Sequence, residues 1–329
     1  MMRRRLQLVL TVLGLLAAGF IGLANGAQTG TPATETAEVD IAEISDQIGA
    51  FTRDLERLRR FMGAPKANKL DIGIRSAIPR DLFFQALTLW EQTDRLSFEI
   101  SRVHPKPPPT PSGIIGLRDV LIRLRDAHQQ LRRVMQQLQI ADTGETTVGT
   151  EIAATDLFNA ILTLNRQLNL MLERHIAPSD VYKEVTLAIG YSARLLARYP
   201  DAIRIPAAPP FEPDKPPRAV YLRLIECLQG IVRIFDRLGL AVLQIDTSQT
   251  DVDNVNPSDV YLIAAMIVSQ LDFLYKRLGI AQPPPQPIYP GLKFPAHSYQ
   301  RAGILQAQLH QLERHLAPDG AVKPLPELP

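Results

Sequence analysis

Proline is concentrated in three short blocks of this 329-residue chain, and this distribution constrains the fold more than any other feature. Of the 27 prolines, five lie in 105–111, seven in 200–217 and six in 283–295. Because proline breaks the interiors of helices and of central strands, the three blocks are predicted to be loops or linkers. The regular structure must then lie in the longer segments between them.

These segments carry apolar residues three and four positions apart. In one of them, Leu157, Ile161, Leu164 and Leu168 form the apolar stripe of an amphipathic helix. No segment alternates apolar and polar residues for more than a few positions, so we expect no sheet, and 141–151 and 244–256 are predicted to be polar connectors. The sequence predicts an all-α fold of about eight amphipathic helices, at 39–62, 79–103, 112–139, 156–174, 178–199, 217–239, 257–279 and 297–316.

Several predicted helices begin with the same short motif, in which proline is followed two positions later by aspartate. The motif starts at residues 79, 178 and 257. Proline suits the first helical turn, and a carboxylate there meets the positive end of the helix dipole. We therefore expect Asp81, Asp180 and Asp259 to cap helices, although their repetition also makes them conceivable catalytic acids. Glu91 is expected to be a single acid on an exposed helix face.

The helix ends recur as well, with Gly239 and Gly279 in positions typical of a C-terminal cap. Starts and ends together predict a repeated unit of two helices joined by a proline-rich loop. The unit occurs at 79–140, 178–240 and 257–316, each about 60 residues long. Because a helical hairpin cannot bury its apolar stripe alone, the three units are expected to stack in a bundle or a short α-solenoid.

The N-terminus is typical of an export signal. Three arginines at 3–5 precede an apolar run at 6–23, and small residues follow near position 27. Residues 1–27 are predicted to be a signal peptide, or alternatively an uncleaved membrane anchor, since the run just reaches the length of a membrane span. We expect a flexible tail at 28–38, the helical domain at 39–316 and a proline-containing tail at 317–329. The processed protein would be periplasmic or secreted; with an uncleaved anchor it would face the periplasm.

Removal of residues 1–27 takes away three arginines and no acid, so the formal net charge changes from +2 to −1. A nearly neutral chain gives no electrostatic reason to expect nucleic acid as a partner. We expect contact with a membrane only through an uncleaved N-terminal segment.

No sequence motif for a nucleotide, a nucleophilic serine, a metal or haem is present, so we expect no cofactor, no metal and no catalytic residue. The six histidines show no metal-ligand spacing. Cys227 lies in an apolar helical pattern and is predicted to be a buried, inert thiol.

Three aromatic residues lie on the proline-rich loops, and they are the candidate binding residues: Phe211, Tyr289 and Phe294. They either pack back over the helices or present anchors to a partner, since stiff loops lose little entropy on binding. The leading hypothesis is an exported, non-catalytic helical repeat protein that binds a protein or cell-envelope component through its helix faces or these loops. One alternative is a periplasmic small-molecule receptor with an apolar pocket between hairpins. Another is an enzyme with dispersed residues such as Glu226, His128 or His297.

Overall fold

The computed structural model describes residues 41–67, 73–106, 108–111, 113–141, 154–247, 252–280 and 282–316. The predicted signal peptide and both predicted tails lie outside these ranges, as does most of the predicted connector at 141–151.

The all-α prediction is confirmed, and the described ranges hold eight α-helices at the predicted places. Most helix boundaries agree with the predicted ones to within a few residues. The exception is the fourth helix, which ends at Asn169 rather than at 174. After that end, side chains accept the backbone N–H groups of the chain. Asn169 accepts the N–H of Ile176, and the carboxylate of Glu99 accepts the N–H groups of Glu173 and Arg174. The helices are α1 (Ile41–Met62), α2 (Pro79–Ser101), α3 (Leu117–Gln137), α4 (Ala154–Asn169), α5 (Pro178–Leu196), α6 (Pro217–Arg237), α7 (Pro257–Arg277) and α8 (Pro295–His315).

The expectation of no sheet is wrong, because two short strands pair within the connections. Strand β1 (Gly73–Arg75) follows α1, and β2 (Gln244–Asp246) follows α6, inside a segment predicted to be only a polar connector. They pair antiparallel, with Ile74 opposite Ile245. Three residues are too few to show alternation in the sequence, and the ribbon forms because the fold brings two distant connections together.

The eight helices form two four-helix bundles of the same internal arrangement. Around the first bundle the order of neighbours is α1, α3, α2, α4, and around the second it is α5, α7, α6, α8. Consecutive helices such as α5 and α6 therefore lie diagonally across a bundle, with α7 and α8 between them.

All four helices within a bundle run in the same direction. Between α1 and α3, Arg125 binds Glu43 and Arg132 binds Asp54, so contacts advance along both helices together. In the second bundle the N-terminal residues of all four helices surround one small cavity at the same end, lined by Pro178, Val181, Pro217, Val220, Pro257, Val260, Pro295 and Ser298. Each connection within a bundle must therefore run back along its full length.

The three-unit hairpin repeat is not confirmed. Within each bundle successive helices begin 37 to 40 residues apart, at 41, 79, 117 and 154 and then at 178, 217, 257 and 295. The repeating element is thus a single helix with its returning connection. The predicted hairpins do not describe the packing, since α5 packs mainly on α7 and α8 rather than on α6.

The proline-rich connections lie close against helix surfaces where glycine leaves room. A Cβ atom on Gly303 of α8 would come within 2.7 Å of the Pro209 ring, and one on Gly190 of α5 within 3.1 Å of the Pro284 ring. Both distances are shorter than ordinary van der Waals contact. These two glycines allow the rigid loops to pack back over the second bundle.

Aspartate caps the starts of four helices, three of which the sequence predicted. Asp81, Asp119, Asp180 and Asp259 each occupy the third helical position, and one carboxylate oxygen of each accepts the backbone N–H three residues before it, at 2.9–3.1 Å. These aspartates therefore serve as N-terminal capping groups.

The helix ends also agree with the sequence. Gly239 and Gly279 adopt positive φ angles of 64° and 68°, the left-handed conformation that a glycine C-cap requires.

The two bundles meet along α2 and α7, which are antiparallel to each other. Arg80 at the start of α2 binds Gln270 in the second half of α7 and stacks on the ring of Phe273, with 3.9 Å from the guanidinium carbon to the ring centroid. Within the described ranges, α7 is the helix long and apolar enough to cross a membrane, but 83% of its most apolar stretch is buried among the other helices. Its position is that of a core helix shared by both bundles.

Candidate functional site

The three aromatic residues predicted for partner binding lie half-exposed on the connections of the second bundle. Phe211 and Phe294 both approach His297, with ring centroids 5.1 Å and 5.9 Å from the imidazole. Tyr289 stands apart from this cluster, and its hydroxyl accepts a hydrogen bond from Arg174 at 2.6 Å. The structure thus brings together two of the three predicted residues.

The sequence analysis missed two apolar neighbours on the same connection. Ile288 is 89% exposed and Leu292 is 77% exposed, so both present most of their surface to solvent. The signal was available, since an isoleucine and a leucine within a proline block cannot belong to a helical stripe.

A cleft lies between the two bundles and is open to solvent at its mouth. Each of three helices contributes one stripe of side chains at a spacing of three and four. The stripes are Phe84, Leu87, Thr88, Glu91, Gln92 and Arg95 of α2, Asp180, Lys183, Glu184, Leu187 and Tyr191 of α5, and Tyr261, Ala265, Val268 and Asp272 of α7. Polar and apolar surface line the cleft in nearly equal parts, so the cleft is more polar than the apolar pocket expected for a receptor.

Two of the four acids in the cleft are already paired with other side chains. Asp180 accepts a hydrogen bond from Arg95 at 3.2 Å, across the boundary between the bundles. Asp272 accepts one from the hydroxyl of Tyr191 at 2.9 Å and forms an ion pair with Lys276 at 2.8 Å. These contacts hold the wall of the cleft together.

The other two acids, Glu91 and Glu184, face the cleft without an ion pair to any described base. Burial raises the pKa of Glu91, with partial compensation from Lys183 and the Tyr261 hydroxyl. Burial and the nearby charge of Glu91 raise the pKa of Glu184 to about 8, while Lys183 opposes this shift. Glu91 is exposed on α2, as the sequence predicted, and its side chain lines the mouth of the cleft.

A much smaller pocket adjoins the cleft and shares Thr88, Gln92, Ile176 and Tyr261 with it. Gln92 is only 4% exposed, and its Oε1 atom has no hydrogen-bond partner among the described residues. Four further buried polar atoms of this lining also have no hydrogen-bond partner among the described residues: Nε2 of Gln85, Oδ1 of Asn165, Nη1 of Arg166 and Oδ1 of Asp259. Unpaired buried polar groups are costly, so these atoms indicate that the pocket, which has room for about one water molecule, holds ordered water.

Asp259 and Arg166 line the same pocket, 3.7 Å apart. This is an ion pair across the two bundles, but too long for a hydrogen bond. Burial raises the pKa of Asp259, and the charge of Arg166 opposes that shift. The repeated aspartates thus have a second role that the sequence did not reveal, since Asp180 and Asp259 each use their free oxygen at the boundary between bundles.

The residues suggested for an enzyme with dispersed groups do not form one site. His128 lies buried between α1 and α3, bound to Asp54 and Gln47. The Nδ1 atom of His297 accepts the backbone N–H of Phe294 at the start of α8, and Glu226 on α6 binds Gln306. Each has a local structural partner.

Cys227 is buried, and its thiol contacts the carbonyl oxygen of Ala302 at 3.8 Å. Burial raises the pKa of this thiol to about 12, so it stays protonated at neutral pH, as predicted for an inert cysteine.

In the part of the chain that the structure describes, no group of three or more histidine, cysteine or acidic side chains is placed to hold a metal ion.

The charged side chains of the cleft could have been found in the sequence as a polar stripe on α2. Thr88, Glu91, Gln92 and Arg95 share one helix face, yet each alone resembles an ordinary exposed residue. Only the antiparallel packing of α2 against α7 encloses them.

Comparison with known proteins finds no matching family model, no similar curated protein and no similar solved structure.

Proposed function

We propose that this chain is an exported, non-catalytic binding protein that captures a small polar ligand in the cleft between its two bundles. Export rests on the N-terminal sequence, in which arginines precede an apolar run and small residues. Binding rests on the cleft, which combines enclosure by three helices with polar groups that lack partners.

The observation that carries the proposal is the unpaired Oε1 atom of Gln92, in a residue 4% exposed at the junction of cleft and inner pocket. A buried amide oxygen without a donor costs about 1–3 kcal/mol of stability. A ligand that supplies an N–H or O–H group at this place removes that cost. The Oδ1 atom of Asn165 in the inner pocket is a second acceptor without a donor, whereas the Nε2 atom of Gln85 there is a donor without an acceptor.

Thermal unfolding of the full chain, purified after expression with its own N-terminal segment, tests the proposal against a panel of small metabolites. We expect at least one compound to raise the melting temperature, because a ligand bound only by the folded state stabilises it. Leu87→Trp, which places an indole in the cleft, should abolish the shift. Leu222→Trp is the matched control, since Leu222 lies exposed on α6 and does not line the cleft.

A panel without any stabilising compound, or a shift that survives Leu87→Trp, would contradict cleft binding. N-terminal sequencing of the same preparation checks export separately. A chain that begins near residue 28 supports cleavage of the signal, and an intact Met1 in the membrane fraction supports the anchor.

A second candidate function is docking of a protein or envelope component on the connections of the second bundle. The exposed apolar side chains favour it, namely Phe211, Ile288, Tyr289, Leu292 and Phe294. Exposed apolar groups on rigid loops are typical of binding surfaces.

The test is whether the purified chain captures an envelope protein, which mass spectrometry then identifies. Combined replacement of Phe211, Tyr289 and Phe294 by alanine should abolish capture. Unchanged capture would show that these loops do not bind the partner. The Leu87→Trp variant should capture normally, which separates this function from ligand binding in the cleft.

A further inference from the structure

The charge inside the cleft is unbalanced. Its lining contains four acids, Glu91, Asp180, Glu184 and Asp272, but only two bases, Arg95 and Lys183. Arg95 is engaged with Asp180, and Asp272 is neutralised from outside the lining by Lys276. Lys183 is the main positive charge beside the carboxyl groups of Glu91 and Glu184, and Arg95 makes a smaller contribution at Glu91. A ligand that brings positive charge restores the balance.

The neutral groups at the site point to the same kind of ligand. The Oε1 atom of Gln92, which lines the cleft, is a buried hydrogen-bond acceptor without a donor in the described structure. Such an acceptor is satisfied by a ligand that donates, and an ammonium group offers three N–H donors with a positive charge. The rings of Tyr191 and Tyr261 line the same space and suit a cation over their faces.

The donor set favours an organic cation over a metal ion. Within the described ranges no three carboxylate, histidine or cysteine side chains converge as metal ligands, and the two free carboxyl groups come from different helices. A hard metal ion requires six or more oxygen ligands at short distance. An ammonium group is satisfied by two or three acceptors at ordinary hydrogen-bond distance.

We propose, on the basis of the function proposed above, that the cleft binds a small aliphatic amine whose ammonium group lies between the carboxylates of Glu91 and Glu184, with a second N–H or O–H donor of the ligand meeting Gln92. The ligand class is that of diamines and other amines with a second donor. Glu91 of α2 and Glu184 of α5 provide the negative charge, and Gln92 accepts a hydrogen bond from the second donor of the ligand. Occupancy would also tie α2 of the first bundle to α5 of the second.

The experiment is isothermal titration of the full chain at about pH 8 with four probes: 1,4-diaminobutane, ethanolamine, butan-1-ol and succinate. We expect the two amines to bind, the diamine with a dissociation constant below about 100 μM, and the alcohol and the dicarboxylate not to bind. Glu91→Gln and Glu184→Gln keep the side-chain shape, and each should weaken diamine binding about tenfold or more. Glu226→Gln, on an exposed glutamate of α6, should bind as the parent does.

Proton release provides a readout that a purely structural role would not give. The ammonium replaces a proton on the two glutamates, so the measured heat should depend on the ionisation enthalpy of the buffer, and the dependence should disappear in Glu184→Gln. The charged or titratable groups facing this pair from the three helices are Arg95, Asp180, Lys183, Tyr191, Tyr261 and Asp272.

The outcomes separate this inference from the proposed function. Binding of succinate or of butan-1-ol in preference to the amines overturns the amine assignment while the cleft remains a binding site. Amine binding that is insensitive to both glutamine variants also overturns it. Failure of all four probes to bind overturns the amine assignment. The proposed function fails as well only if no compound of the wider metabolite panel raises the melting temperature.

Discussion

The hydroxyl of Tyr261 on α7 donates a hydrogen bond to the Oε2 atom of Glu91 on α2, with 3.3 Å between the two oxygens. The bond crosses from one bundle to the other at the place where the cleft and the inner pocket meet. It fixes one carboxylate of the pair, whereas Glu184 makes no hydrogen bond to any described residue. The cleft therefore combines one oriented acid with one that is free to receive a ligand.

Replacement of Tyr261 by phenylalanine should destabilise the fold mainly at alkaline pH. In this variant the ionised Glu91 carboxylate lacks the Tyr261 hydroxyl, whose hydrogen bond favours the charged form and lowers the pKa of Glu91. A single hydrogen bond of this kind contributes about 1 kcal/mol to the free energy of unfolding. Urea unfolding at about pH 9 and about pH 5 measures the difference, which should be larger at the higher pH.

Tyr182→Phe serves as the control for this variant. The hydroxyl of Tyr182 makes no hydrogen bond within the described part of the chain, while its ring contacts Lys293 and Arg301. Its removal should change stability by less than about 0.5 kcal/mol at either pH. Equal losses in the two variants would show that the Tyr261–Glu91 bond has no special role.

Stability should fall as the pH rises, because of Glu184. Its pKa is raised from 4.5 to about 8 in the folded protein. Both states carry the proton below about pH 4.5, and between that pH and about 8 only the folded state keeps it. The folded state binds more protons in this interval, so the free energy of unfolding decreases with pH and levels off above it. The raised pKa of Glu91 acts in the same direction.

Glu184→Gln removes this titration, so the variant should be more stable than the parent at about pH 8.5 and similar to it at about pH 4.5. Urea unfolding across this range measures both slopes. Glu226→Gln should retain the slope of the parent, since Glu226 is exposed on α6. Parallel profiles for the parent and Glu184→Gln would rule out Glu184 as the source.

The helices could be predicted from the sequence because their signals are local. The proline at 79 and the aspartate at 81 mark the start of α2, and Gly239 marks the end of α6, whatever the remainder of the chain does. The order of neighbours in a bundle is set by long-range packing instead. A connection of about 20 residues permits either an antiparallel hairpin or two parallel helices that lie diagonally across a bundle. The motif shared by the helix starts does not distinguish these two arrangements.

The cleft could not be predicted because its groups are separated widely in sequence. Glu91 and Tyr261 are 170 positions apart and meet only through the antiparallel packing of α2 on α7. The loop aromatics were easier to identify, since an apolar ring in a proline block has no helical stripe to join. Phe211 and Phe294 are indeed on the surface, but no pattern in the sequence predicted that both would lie beside His297.

Alanine at Gly303 should destabilise the second bundle through its proline-rich connection. A new Cβ atom would lie 2.7 Å from Cγ of Pro209, too close for the rigid ring to remain in place. The helix gains about 0.5–1 kcal/mol when glycine is replaced by alanine, but the clash costs about 1–3 kcal/mol, so the net effect should be a loss. Thermal or urea unfolding measures it.

Gly230→Ala is the matched control for this substitution. Gly230 lies inside α6, and a Cβ atom there would meet its nearest neighbours at ordinary distances of 3.6 and 3.8 Å. The variant should therefore be stabilised by about 0.5–1 kcal/mol. If both alanine variants are stabilised, Pro209 can move away and the connection is not packed tightly against α8.

Asp54 joins α1 to α3 and should account for part of the acid sensitivity of the first bundle. Burial opposes its charge, but hydrogen bonds from His128, Arg132 and Arg57 hold its pKa well below the usual range. A lowered pKa stabilises the folded state above about pH 4, and this contribution is lost as the pH falls further. Asp54→Asn should cost about 2–3 kcal/mol at about pH 7, since His128 and two arginines lose their charged partner. The gap to the parent should narrow below about pH 4, whereas Asp46→Asn, on the exposed face of α1, should match the parent throughout; a gap of constant size would assign the loss to packing rather than to charge.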